Sequence, residues 1–272
     1  MTNHLATKAQ LFRDLHVPGR PLLLPNPWDV GSAMVLAAMG FKALATTSAG
    51  YANSIGRPDG GLTRDQALDH AAEIAKAATL PVFADLERCF ADDPEGVAET
   101  VELAIATGIV GCSVEDSTGD PDRPLYDIGL AAERVAAAVE TAESAPYPFT
   151  ITGRSENLLH GVGDVVFAIE RLIAYETAGA HVLYAPGLAS VDDVRAVTDA
   201  ITAPLNVLEW PGLDVPTLAD AGVARISTGS WLFRSAYASL IGDAAKLLTD
   251  GEFVFPKIDP EFANLNSLMK RG

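Results

Sequence analysis

Pro81-Val82-Phe83-Ala84-Asp85-Leu86-Glu87 is the stretch whose reading decides the fold. Apolar, β-prone residues run as far as Ala84, and two carboxylates then follow two positions apart, so both leave the same face of an extended chain. Gly111-Cys112-Ser113-Val114-Glu115-Asp116 repeats the design, hydrophobic at its start and acidic at its end. If the two strands are neighbours, three or four carboxylates crowd a small volume. Two such charges about 4 Å apart repel by roughly 4 kcal/mol at an effective dielectric near 20. The cluster must therefore protonate, spread or hold a cation, and the sequence favours the cation.

Outward from these two strands, short apolar runs alternate with Ala-rich amphipathic segments. The runs are 21–25, 43–48, 81–87, 111–116, 149–154, 181–186, 205–210 and 225–230; helix candidates lie at about 29–39, 64–79, 94–107, 127–144, 164–178, 191–200, 215–221 and 231–248. Such alternation calls for a parallel sheet. Pro21, Pro81, Pro148 and Pro204 lead into the odd-numbered runs, while Gly40, Gly108, Gly179 and Gly222 precede the even ones. Proline forces an extended start, and glycine after a helix supplies its left-handed cap. Four repeats of a two-strand unit give the arithmetic of an α/β fold of the (β/α)8 TIM-barrel type. No linker or low-complexity tract divides the chain, so one domain over residues 1–272 is expected, with a polar tail over 249–272 after the last helix. Pro25-Asn26-Pro27-Trp28-Asp29 stands after the first run where a dinucleotide fold would carry glycines, which disfavours that fold.

With 36 acidic against 19 basic side chains and no Lys/Arg cluster, the chain is a poor partner for nucleic acid or an anionic membrane. Cys89 and Cys112 make neither a disulfide framework nor a paired metal-ligand spacing. Residues 2–16 lack the continuous apolar core of a signal peptide, and no uncharged apolar run is long enough to span a bilayer. A cytoplasmic location is expected.

A barrel keeps its chemistry at the carboxyl ends of its strands. Those ends carry Asn26 and Asp29, Thr46 to Ser48, Asp85 and Glu87, Glu115 and Asp116, Arg154, Tyr184 and Pro186, Glu209 and Trp210, and Ser227 and Ser230. With Arg154 pointing inward, Thr150 and Thr152 share its face. Oxygen-only ligands of this kind suit a hard divalent ion, Mg²⁺ or Mn²⁺, and the lack of an accompanying His pair disfavours zinc. Arg154 and the backbone amides after Ser48 would hold an anionic substrate. Asp116 reads as a helix cap or a support, Cys112 as core, Cys89 as an inert buried thiol, His181 as a residue of the opposite face, and Trp28, Tyr184 and Trp210 as candidate pocket walls. Asp59 sits in a Pro-Asp-Gly-Gly turn, for which turn chemistry is already a sufficient cause.

Residues 25–33 (PNPWDVGSA), 47–50 (TSAG), 58–61 (PDGG), 85–87 (DLE), 114–116 (VED) and 152–154 (TGR) together make the chain resemble the isocitrate lyase/phosphoenolpyruvate mutase superfamily over nearly its whole length. The resemblance implies a (β/α)8 barrel in which Asp85, Glu87 and Glu115 hold Mg²⁺, partly through water. It further implies a 2-oxo-acid carboxylate site at Ser48, Ala49 and Gly50 with Thr46 beside them, a substrate-binding Arg154, and a catalytic role for Asp59 with Arg154 and Ser48. Ala49 replaces the glycine usual in the family. The lyases of this superfamily carry a Lys-Lys/Arg-Cys-Gly-His block after the fourth strand; here that loop is 117–126 (STGDPDRPLY), without cysteine, lysine or histidine. What the resemblance then implies is decarboxylation of oxaloacetate, or scission or rearrangement at C3 of a related 2-oxo acid of the phosphonopyruvate type. The rivals are a C–C lyase on a 2-hydroxy di- or tricarboxylate using Tyr126 or His160 as acid, and a barrel that binds a dicarboxylate without catalysis. The resemblance also implies a homodimer or homotetramer that exchanges the helix at 231–248.

Overall fold

The computed structural model describes residues 2–253 and 264–269. Its strands are β1 (Leu22–Leu24), β2 (Leu44–Ala45), β3 (Val82–Ala84), β4 (Gly111–Glu115), β5 (Thr150–Arg154), β6 (Val182–Tyr184), β7 (Leu205–Leu208) and β8 (Arg225–Ser227). The helices are α1 (Thr2–Asp14), α2 (Val30–Ala38), α3 (Ser48–Ser54), α4 (Arg64–Ala77), α5 (Pro94–Ala106), α6 (Ile128–Glu143), α7 (Val165–Thr177), α8 (Val191–Ala200), α9 (Val215–Asp220), α10 (Trp231–Asp250) and α11 (Leu265–Leu268). All strand pairs are parallel, in the order β1-β8-β7-β6-β5-β4-β3-β2. The expected (β/α)8 barrel is therefore the observed one.

The seam between β1 and β2 is thin. One backbone bond crosses it, from Ala45 N–H to the Pro25 carbonyl at 3.1 Å. Asn26 latches it from the side: its Nδ2 donates to the Thr46 carbonyl at 2.8 Å, and its Oδ1 accepts from the backbone N–H of Thr228 and of Gly229, each at 2.9 Å. A single buried amide thus joins the ends of β1, β2 and β8.

Helix starts follow their capping residues. Asp29, Thr63, Asp93, Asp127, Asp164, Ser190 and Asp214 each accept a backbone N–H from the first turn of the next helix. Asp29, a strand-end candidate in the sequence, is therefore the α2 cap. Gly40, Gly108, Gly179 and Gly222 all take positive φ, as helix-ending glycines do. The strand expected over 43–48 stops early, because the Thr47 hydroxyl accepts the Gly50 N–H at 3.2 Å and starts α3 instead.

The opposite face is plugged by α1. Phe12 is fully buried and stacks on Phe83, Lys8 donates to the Ala78 carbonyl, and Arg13 donates to the Phe149 carbonyl. His181 lies at this face, its Nδ1 accepting the Ile151 N–H at 3.0 Å, as its position before β6 suggested. Inside the barrel, Arg225 donates to Asn206 Oδ1 and Thr152 Oγ1 and stands over the Phe83 ring. Burial lowers its pKa to about 9. The expected tail falls partly outside the described residues; within them, α11 places Leu268 in a buried position beside α2.

Candidate active site

Parallel register brings the acidic strand ends together. Ala84 pairs with Cys112, and Glu115 pairs with Arg154, so the residues after β3 face Ser113 and Arg154 across two strands. Asp85 is the hub. Its Oδ2 accepts the Ser48 hydroxyl at 2.8 Å and the Ser48 N–H at 3.2 Å, while its Oδ1 accepts from Ser113 Oγ and from Arg154 Nη1, both at 3.3 Å. Thr46 fixes the hub from below, its hydroxyl accepting the Asp85 N–H at 3.0 Å.

Arg154 stands among three carboxylates. Its Nε donates to Glu156 Oε1 at 2.5 Å and lies 3.4 Å from Glu115 Oε2, in addition to the Asp85 contact. These anions hold the guanidinium charged against the cost of its burial. Burial, in turn, pushes the Glu115 carboxyl well above the usual carboxylate range, with Arg154 opposing. Asp116 accepts the Glu156 N–H at 2.8 Å and the Arg171 Nε at 2.5 Å, together with the Tyr175 hydroxyl. It supports Glu156 rather than facing the mouth, in line with the sequence reading.

Glu87 is different. Its φ is 51°, Cys89 and Phe90 follow at 58° and 54°, and such left-handed backbone costs on the order of 1 kcal/mol or more at each non-glycine residue. Arg134 of α6, fully buried, holds the turn: it donates to the carbonyls of Arg88 and Ala91 and to that of Glu115, tying the β3 and β4 loops together. Glu87 Oε1 is buried and has no hydrogen-bond partner. Burial, then the charges of Asp85 and Asp59, raises its pKa to about 7. Asp59 lies exposed by area yet within the field of the site: desolvation and Asp85 raise its carboxyl, opposed by the Gly60 amide, Arg154 and Arg234.

The donor set fits a hard cation held loosely. Among the described residues no three His, Cys, Asp or Glu groups are gathered closely enough to cage an ion by themselves. Yet the donors are all oxygen, Glu87 carries an orphaned buried atom, and Asp85, Glu87, Glu115 and Glu156 outnumber the lone Arg154 among them. An ion on one or two carboxylates that keeps several waters, as Mg²⁺ does, matches that arrangement.

Around this centre, Gly50 is needed for packing: a Cβ there would lie 2.6 Å from Thr47 Cγ2 and 3.3 Å from Trp28 Cβ. Trp28 also meets Phe233 of α10 edge to face. Below Arg154, a cavity of about 50 Å³ is lined by Thr46, Asp85, Ser113, Tyr184 and Ser227 among others. Tyr126 is turned away, donating to Asp92 at 2.5 Å with Arg134 over its ring. His160 is exposed and pairs with Ser117 at 3.2 Å. Both cysteines are buried and free. Ser113 and Arg134 were not singled out in the sequence. Ser113 carried a signal, two positions from a chosen inward residue; Arg134, in mid-helix, carried none.

No helix among the described residues is long and apolar enough to cross a membrane. Comparison with known proteins gives concordant results. The profile of the phosphoenolpyruvate phosphomutase family matches residues 12–248. The uncharacterized protein Rv1998c of Mycobacterium tuberculosis (strain ATCC 25618 / H37Rv) is 35% identical over 246 residues, covering 89% of this chain and 90% of its own. The crystal structure of a candidate lyase/mutase from Burkholderia cenocepacia J2315 is 46% identical with a TM-score of 0.93, covering 97% of this chain and 96% of its own. A structure of oxaloacetate acetylhydrolase with the product oxalate is 26% identical with a TM-score of 0.85, covering 97% and 94%. The chain belongs to the phosphoenolpyruvate phosphomutase family, within the phosphoenolpyruvate mutase/isocitrate lyase superfamily of enzymes that cleave C–C and C–P bonds.

Proposed function

We propose that this protein breaks or rearranges the bond between C3 of a small 2-oxo acid and an acidic substituent, with oxaloacetate the first candidate and phosphonopyruvate the second. The observation that carries this reading is the pairing of one buried guanidinium, Arg154, with a surplus of carboxylates that includes the unpartnered Glu87. Such a mouth can take a cation and an anion side by side. Asp85, Glu87 and Glu115 would hold Mg²⁺ or Mn²⁺, which when bound supplies electrophilic stabilisation of charge on the 2-oxo group. Arg154 would bind the substrate carboxylate, and Glu156 keeps that guanidinium oriented. Ser48 and Thr46 fix Asp85. Asp59, within the field of Asp85 and Arg154, would bear on the substrate's reacting end.

The loop at 117–126 lacks the lyase cysteine, which speaks against isocitrate-type cleavage by the usual acid. The acetylhydrolase relative, solved with oxalate, supports a small 2-oxo-acid ligand.

A coupled pyruvate-release assay over oxaloacetate, phosphonopyruvate, isocitrate and methylisocitrate, with Mg²⁺ and with chelator, tests the reading. Metal-dependent release from oxaloacetate or phosphonopyruvate is expected, and Asp85→Ala should abolish it while the variant still folds. Full turnover in chelator would remove the metal from the site, and stabilisation by dicarboxylates without pyruvate release would identify a binding protein instead.

A further inference from the structure

Resting on the reading above, an enolate formed at C3 needs a proton, and this chain lacks the cysteine loop that serves its lyase relatives. The two alternatives visible in the sequence are placed badly: the Tyr126 hydroxyl is committed to Asp92, and His160 stands exposed beside Ser117. The cavity beneath Arg154 narrows the choice. Of the hydroxyl side chains lining it, Ser113 donates to Asp85, Thr46 accepts from the Asp85 amide, and Ser227 accepts from Asn206 Nδ2 at 3.0 Å. The remaining one is the phenol of Tyr184.

Tyr184 ends β6 in register with Arg154 on β5, so both side chains enter the barrel from adjacent strands at one level. The guanidinium carbon of Arg154 lies 5.1 Å from the Tyr184 ring centroid, and the ring is almost fully buried. The phenol faces Ser227 of β8 and so spans the floor of the mouth. A substrate carboxylate bound to Arg154 at about 2.9 Å leaves C3 only two covalent bonds from the carboxylate carbon. The tyrosine ring that stands beside the same guanidinium is therefore a close neighbour of the reacting end.

We propose that Tyr184 is the general acid of this enzyme, delivering the proton to C3 of the enolate. With oxaloacetate, the C3–C4 bond breaks, C4 departs as CO₂, and the electron pair of that bond stays in the enolate. That pair then forms the new C3–H bond with the phenolic proton as the enolate oxygen restores the C2 carbonyl. The resulting phenolate regains a proton from water by way of Ser227, which lies between it and Asn206. No oxidant or second substrate is required. Burial pushes the Tyr184 phenol up to about 12, so it stays protonated at working pH and can act as a donor throughout.

The test uses Tyr184→Phe in the full chain. Oxalate binding in the presence of Mg²⁺, followed by calorimetry, reports whether the site itself is intact. Exchange of pyruvate methyl protons with D₂O, followed by NMR, reports proton transfer at C3. The expected result is an oxalate affinity within about threefold of wild type, with methyl exchange and turnover reduced by about 10²-fold or more, the usual loss for a general acid. Ser227→Ala, a milder change, should slow exchange by a smaller factor with oxalate binding again retained. Wild-type exchange and turnover in a Tyr184→Phe protein that binds oxalate overturns the assignment of Tyr184 alone. A wild-type protein that neither binds oxalate with Mg²⁺ nor releases pyruvate from any 2-oxo acid overturns both this assignment and the reading on which it rests.

Discussion

Glu87 holds the most poorly satisfied carboxylate of the mouth, and its titration follows from that. In the metal-free protein its pKa is about 7 against an ordinary 4.5. Between those values the native chain keeps a proton that the unfolded chain has released, so stability falls as pH rises through the window from about 4.5 to about 7. The shift corresponds to at most about 3 kcal/mol. Urea unfolding in chelator at pH 5 and pH 8 should show this loss in wild type and a smaller one in Glu87→Gln; equal slopes for the two proteins would clear Glu87 of the effect. Asp59 and Glu115 shift in the same direction, so only the difference between wild type and variant isolates Glu87. Mg²⁺ held by Glu87, as proposed, would compete with that proton, and its affinity should then rise with pH over the same window. Asp85, Glu87, Glu115 and Arg154 were legible in the sequence because each is a charge closing an apolar run. Their mutual geometry was not: that Arg154 touches Asp85 and Glu115 directly, and that Ser48 is spent on Asp85, depends on register between strands far apart in the chain.

Elements were legible where local chemistry and hydrophobic period agreed, as in the helices that follow Asp93, Asp127 and Asp214. Reading failed where one hydroxyl changed the outcome: Thr47 closes the β2 run and opens α3, a seven-residue helix hidden within what scanned as strand and loop. The helix α10 shows the opposite case, easily found yet unexplained by its own fold. Of its 20 residues only Phe233 is buried, while Leu240, Ile241 and Leu248 are 59%, 67% and 87% exposed. An apolar face of this extent on a helix that stands clear of the barrel needs a cover. We propose that a second copy of the chain supplies one, as in the homodimer or homotetramer that the family resemblance implies. Light scattering of the wild type should give a multiple of the 28.5 kDa chain mass, and Ile241→Lys with Leu248→Lys should shift it toward the monomer. A wild type that is monomeric at micromolar concentration would leave α10 uncovered and end this account.

The whole molecule was legible as a barrel because eight alternating units leave few topologies open. Closure of the barrel was not, since nothing local announces which strands meet last. Closure here depends on Asn26. β1 and β2 share one backbone bond, whereas β4 and β5 run together over five paired positions, so the seam is the weakest line around the sheet. Asn26→Ala would strip the Thr46 carbonyl and the Thr228 and Gly229 amides of their partner at once. A buried polar group left unsatisfied costs about 1–3 kcal/mol, and the site has room to admit some water, so a total loss of about 3 kcal/mol is expected. For a chain of this size that lowers Tm by about 6–12 °C. The effect should be local in hydrogen exchange, with faster exchange in the amides of β1, β2 and the Thr228–Gly229 turn while β4 to β6 keep their protection. Because Thr46 also positions Asp85, opening the seam should weaken Mg²⁺ binding along with stability. An Asn26→Ala protein with unchanged Tm and an unchanged exchange pattern would mean that the barrel is closed by packing of the α2 and α4 layer over the seam, and that the amide is incidental to it.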